Sequence, residues 1–248
     1  MAVITKNDEL QIYRGEDFIV NDKIRIHQPT LGEICNFGEQ KYFSFVYSIT
    51  ATPTDLKYQL SLADIDWNSI SDYELFLIRC GTFENNESKI LLGDLDLTLF
   101  KILKKENDEI VLYDQKNDIL IDRSIFEIVI NYVRKMHNLT PNIEHAMNET
   151  TKIVLIDEAK EQYEMSKNEK YQSHLLPLIS TMTNMSGFKY NWSNVWDMKI
   201  NAFMDAVQRI QHVENAKLLL SSGYSGFGID LKKINKKELN YFCRSDES

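Results

Sequence analysis

Trp196, Ile200, Phe203, Val207 and Ile210 recur at alternating gaps of four and three, the spacing that keeps side chains on one face of a helix. Met204, Ala206 and Val213 widen that face. With Ser193 placed as an N-cap and no Gly or Pro before Gly223, the pattern predicts one long helix within 192–228, stopped by Gly223, Gly226 and Gly228. A helix gains most of its stability by covering its apolar face, so this stripe must meet the rest of the protein or another molecule.

The remaining pattern divides the chain in order. Residues 10–28 alternate as strands do, with Ile12, Phe18, Val20, Ile24 and Ile26 apolar and turn residues at 14–16 and 21–22, which predicts a small β-hairpin or three-stranded ribbon. Thr30 and Glu33 have capping-box spacing and open a helix whose core face is Leu31, Ile34, Cys35, Phe37, Tyr42, Phe45, Val46 and Ile49, ending before Pro53. A short helix follows from Thr54 to Leu62. Asp64–Ser69 is a polar connection carrying Trp67, and Ser71 with Glu74 repeats the capping box before an apolar helix 73–80. A small antiparallel sheet is predicted at 97–121, with polar turns at 104–108 and 114–118. Asp122 caps an amphipathic helix with the stripe Ile125, Phe126, Val129, Ile130, Val133 and Met136, ending near His137-Asn138. Residues 139–150 are polar and contain Pro141, so they are read as a hinge. Beyond them come a charged helix at 151–167, a helix at 175–185 stopped by Gly187, the long helix, and a short one at 236–242. The fold class is therefore α+β, predominantly helical, with an α+β domain at 1–138 and a helical region at 151–248 packed as a bundle.

Composition narrows the function classes. The chain has 248 residues, 43% of them hydrophobic, and no apolar run near the roughly eighteen residues of a membrane span. The N-terminus lacks a secretion-signal pattern, which points to a cytoplasmic protein. A net charge of −9 disfavours nucleic acid as a partner unless positive charge is gathered in one patch. Lys232, Lys233, Lys236, Lys237 and Arg244 are interspersed with Asp230, Glu238, Asp246 and Glu247, so they read as a solvated face.

Searches for chemistry return little. No P-loop, HExxH, GxSxG or EF-hand spacing is present, and the Gly223–Gly228 run follows a helix rather than the strand that a phosphate-cradling loop needs. His27, His137, His145, His174 and His212 are scattered singly, so no metal or cofactor is expected. Asp94 and Asp96 would share one face of a strand, as paired carboxylates do in acid–base chemistry, yet edge charges account for them as well. Cys35 and Cys80 read as core thiols, and Cys243 as a third free thiol. The reading is non-enzymatic.

Three strings together carry a resemblance: Ile26-His-Gln-Pro-Thr-Leu-Gly-Glu-Ile34, Leu91-Leu-Gly-Asp-Leu-Asp-Leu97, and Val195 to Ile210 followed by the glycine-rich stop and Asp230-Leu-Lys-Lys-Ile234. With them the chain resembles the tail assembly chaperones of phages and prophages of Gram-positive bacteria. The resemblance implies a protein of the bacterial host cytoplasm that binds and solubilises the helical tape-measure protein during tail morphogenesis. Its alternative is a structural tail or baseplate component of the virion. Implied partners are the tape-measure protein or other phage tail proteins, with room for a homo-oligomer and no role for nucleic acid or membrane. A helical client needs an apolar face or groove, so the candidate partner-binding residues are Trp192, Trp196, Ile200, Phe203, Val207 and Ile210, beside the helix at 174–185.

Overall fold

The structure is a computed structural model that describes residues 6–84, 86–224 and 233–241. It is an α+β fold in which helices predominate. The first described element is α1 (Lys6–Arg14), and among the described residues of the N-terminal part only β1 (Phe18–Ile19) and β2 (Arg25–Ile26) pair as a ribbon. The expected hairpin from residue 10 is thus shortened. Leu10, Ile12 and Tyr13 suit a strand or a helix equally, and Ile12 alone of them is buried while Leu10 and Tyr13 face solvent.

Both capping boxes form as expected. Thr30 and Glu33 open α2 (Leu31–Phe37), and Ser71 and Glu74 open α5 (Asp72–Arg79). The helix expected to run unbroken to Ile49 is two helices. Gly38 adopts φ +100°, a conformation closed to most side chains, and serves as the C-cap of α2 and the N-cap of α3 (Glu39–Thr50). The next elements are α4 (Lys57–Leu62) and α6 (Lys89–Leu92). The three-stranded sheet has the order β3 (Lys101–Lys104), β4 (Ile110–Asp114), β5 (Ile119–Ile121). It starts later than residue 97 because Asp96 caps a 3-10 turn over Leu97–Leu99 through the Thr98 N–H. Asp122 caps α7 (Arg123–Met136) by accepting from the Ile125 N–H.

Then follow α8 (Glu149–Ser166), α9 (Leu175–Asn184) and α10 (Ile200–Tyr224). α8 lies on α4 with none of its residues fully buried, and it closes a small apolar cluster around Leu60, Trp67 and Leu75. Residues 142–146 bond to Thr52, Thr54 and Asn68, which ties the polar stretch before α8 to the first third of the chain.

The start of α10 is the main correction. It begins at Ile200, not after Ser193, and Trp196 sits in a 3-10 turn over Val195–Asp197. Ser193 donates its hydroxyl to Asn191 instead of capping a helix. The cause is long-range pairing: Leu31 N–H donates to Met198 O and Ile200 N–H to Pro29 O, so residues 198–199 are held extended against 29–31. Gly32 permits the approach, since a Cβ there would lie 3.1 Å from the Trp196 carbonyl oxygen. Gly226, Gly228, Lys232, Asp230, Phe242, Cys243, Arg244, Asp246 and Glu247 lie outside the described residues, and 236–239 form turns rather than a helix. One core cluster joins Ile12, Ile26, Ile34, Phe45, Leu112 and Val133 with Leu175, Ile200 and Phe203, so both ends of the described chain share it.

Candidate partner-binding groove

α3 carries two apolar faces. Tyr42, Phe45 and Ile49 enter the core, while Phe43, Val46, Tyr47 and Thr50 line an open groove. The opposite wall is His174, Leu175 and Leu178 of α9, and Ile200 and Met204, one turn apart on α10, form the third side. His137 and Leu139, just beyond α7, close its end. The groove encloses about 340 Å³ and is lined almost wholly by carbon.

Its walls are fastened by polar contacts behind the lining. The Glu39 carboxylate accepts from the N–H groups of His174 and Leu175 at 2.8 and 2.7 Å, which satisfies backbone donors at the start of α9 from the start of α3. Burial pushes the Glu39 carboxyl up, but hydrogen bonds from Ser173, Leu175, His174 and Tyr171 together bring it below the usual glutamate value. Asn201 donates to Met136 O at 3.0 Å and pins α10 to the end of α7. Arg134 donates to Thr50 O and meets Asp72 at 2.8 Å, joining α7, α3 and α5.

His137 is set deep beside this lining. Its Nδ1 lies 2.8 Å from Val133 O, which can only accept, so Nδ1 carries the hydrogen and Nε2 accepts from the Tyr42 hydroxyl at 2.6 Å. Burial pushes the His137 pKa down to about 4 and raises that of the Tyr42 phenol. The Tyr42–His137 pair is therefore uncharged at neutral pH. Beside the groove, sharing Leu139, lies a polar depression with Asn138, Thr140 and Gln208, and with Arg134 and Lys135, which are ion-paired to Asp72 and Glu9. An apolar face flanked by polar side chains is the surface that matches this pair of depressions.

The six candidate residues are dispersed. Ile200 lines the groove; Phe203 is wholly enclosed in the core; Val207 and Ile210 are half-buried against it. Trp192 is 78% exposed and Trp196 37%, with the Trp196 indole N–H donating to Trp192 O, and neither lines the groove. The lining from α9 falls in the helix singled out beside them. Phe43, Tyr47 and Leu139 were not among the candidates. The signal for the first two was an apolar stripe on α3 too wide for one core face.

Other expected chemistry dissolves on placement. Asp94 and Asp96 lie in a turn rather than on a strand, with Asp96 occupied as a cap. Cys35 is exposed on α2, because the α2 face carrying Leu31 and Ile34 is the one that enters the core, whereas Cys80 is buried and its thiol pKa is raised by burial. Among the described residues no group of three or more His, Cys, Asp or Glu is placed to hold a metal ion, and no helix is long and apolar enough to cross a membrane.

Residues 166–245 match the family model described as the YomV second domain. YomV is a protein of the Bacillus phage SPbeta region, so the match relates the C-terminal part of the chain to a phage-associated domain family. That part contains α9 and α10, two of the groove's three main walls. No curated protein and no solved structure matches the chain.

Proposed function

We propose that this chain is a non-enzymatic phage tail assembly chaperone, working in the bacterial host cytoplasm, that holds an amphipathic helical stretch of the tape-measure protein in the groove between α3, α9 and α10. The observation that carries the reading is the open apolar groove, two walls of which come from the part that matches a phage-associated domain family. A long helical client presents apolar stripes that must be kept from water until they are packed, and a groove lined almost wholly by carbon, with a polar flank, covers such a stripe.

The test is copurification with a tape-measure fragment, using Leu139→Glu with Leu178→Glu. Leu139 is exposed and Leu178 half-buried, so both can be made acidic with the core left intact. Loss of the complex with an unchanged melting temperature supports the groove; normal capture by the folded double variant removes it. Mass spectrometry of purified particles beside the infected-cell lysate tests the role. Abundance in lysate with absence from particles fits a chaperone, whereas a fixed stoichiometry in particles makes the chain a tail or baseplate component.

A further inference from the structure

β3 forms one edge of the three-stranded sheet, paired only to β4. The backbone pattern identifies its free groups. Lys105 N–H donates to Glu109 O at 2.8 Å and closes the hairpin, and paired and unpaired positions alternate along an antiparallel ladder. Leu103 and Lys101 therefore bond to β4, while Ile102 and Lys104 turn their N–H and C=O groups outward. All four residues of β3 are exposed, Ile102 at 57% and Leu103 at 44%, and neither proline nor a bulge blunts the edge.

Beside this edge lies a depression of about 390 Å³ floored by Leu99, Leu103 and Tyr113, with Lys101 and Lys116 at its rim. Asp114 also lines it, but its oxygens accept from the N–H groups of Lys116 and Asn117 and from the Asn117 amide. Lys104 meets Asp108 and Lys105 meets Glu109, whereas Lys101 and Lys116 have no ion-pair partner among the described residues. Two unpaired ammonium groups flanking an apolar floor stand out on a chain of net charge −9.

The geometry points to the β3 edge as a docking site for an extended segment of another protein that alternates acidic and apolar side chains. Its main chain adds a strand through Ile102 and Lys104. One apolar side chain sits over Leu99, Leu103 and Tyr113, and carboxylates two positions away on the same face reach Lys101 and Lys116. A second copy is the poorer occupant, because edge-to-edge pairing gathers Lys101 and Lys104 from both strands. The overall negative charge does not prevent the contact, since salt screens distant charges far more than touching ones.

The site is separate from the α3–α9–α10 groove and stands or falls without it. The test titrates the ¹⁵N-labelled full chain with acetyl-Glu-Thr-Leu-Thr-Glu-amide and, in parallel, with its Lys-Thr-Leu-Thr-Lys counterpart. The acidic peptide is expected to shift the amides of Ile102, Lys104 and their neighbours saturably at millimolar concentration, and the basic one to leave them unmoved. Lys101→Glu with Lys116→Glu, both exposed, should weaken the acidic peptide roughly tenfold and favour the basic one. Absence of saturable β3 shifts, equal response to both peptides, or the same shifts on concentrating the protein alone would each overturn the proposal.

Discussion

Tyr42 Oη and His137 Nε2 lie 2.6 Å apart, linking α3 to the end of α7 beneath the groove. Protonation would reverse this bond, with Nε2–H donating to the hydroxyl oxygen, and would bury a charge, which is what disfavours it. Burial holds the folded His137 pKa near 4, against about 6.5 for an unfolded chain. Between those values the unfolded chain takes up a proton that the folded one refuses. This contribution is fully present above pH 6.5 and is lost as pH falls toward 4. The loss is on the order of 3 kcal/mol. Urea midpoints measured across this window should fall with pH in the native chain and flatten in His137→Gln; equal slopes would show that the ring does not titrate as its burial requires.

Tyr42→Phe removes the hydroxyl and little else. It leaves His137 Nε2 buried without a donor, so a loss of about 1–3 kcal/mol is expected. In a double-mutant cycle with His137→Gln the two losses should be clearly non-additive, since the groups act as a pair.

Glu39→Ala leaves the N–H groups of His174 and Leu175 without their acceptor. The expected cost is about 1–2 kcal/mol, with faster hydrogen exchange confined to the first turn of α9. Because the folded Glu39 carboxyl titrates below its ordinary value, its contribution is present above that value and is lost as pH falls through the folded one. Unchanged exchange at Leu175, Leu176 and Leu178 would show that α9 is held by its apolar contacts alone.

Gly15 makes a sharper backbone test. It has φ +78°, and a Cβ there would lie 2.5 Å from Lys199 Cγ, whose own ammonium donates to Gln28 O. Gly15→Ala should cost about 1–2 kcal/mol and disturb the pairing of 29–31 with 198–200. Gly81→Ala is the control, since nothing lies within 4 Å of its Cβ position and its φ is not positive. Thermal melts of the two variants should separate clearly.

Local signals in the chain hold where neighbouring residues decide the outcome. Thr30 with Glu33, Ser71 with Glu74, and Asp122 each cap the helix that their spacing predicts. The errors lie where distant segments decide. Nothing near Ser193 reveals that residues 198–199 are held extended against 29–31, so the local pattern alone places the helix start too early. Gly38 looks like a tolerated glycine until its φ of +100° divides the helix. The groove was half legible for the same reason: the apolar residues of α9 and α10 were visible as stripes, but that Phe43 and Tyr47 of α3 face them depends on packing.

Phe203 and Trp192 share the sequence pattern of a binding stripe but are placed oppositely by this packing. Phe203 has no exposed surface, so Phe203→Ala should cost about 3–5 kcal/mol through lost contacts and the cavity left behind, with no direct bearing on any partner. Trp192 is 78% exposed, and Trp192→Ala should change stability by no more than about 0.5 kcal/mol. Any binding defect in the folded Trp192 variant would then report on a surface, whereas a defect in a Phe203 variant reports on folding. Chemical denaturation of the two proteins side by side decides it. Comparable losses from both would mean that the turn carrying Trp192 is held in the core more firmly than its exposure allows.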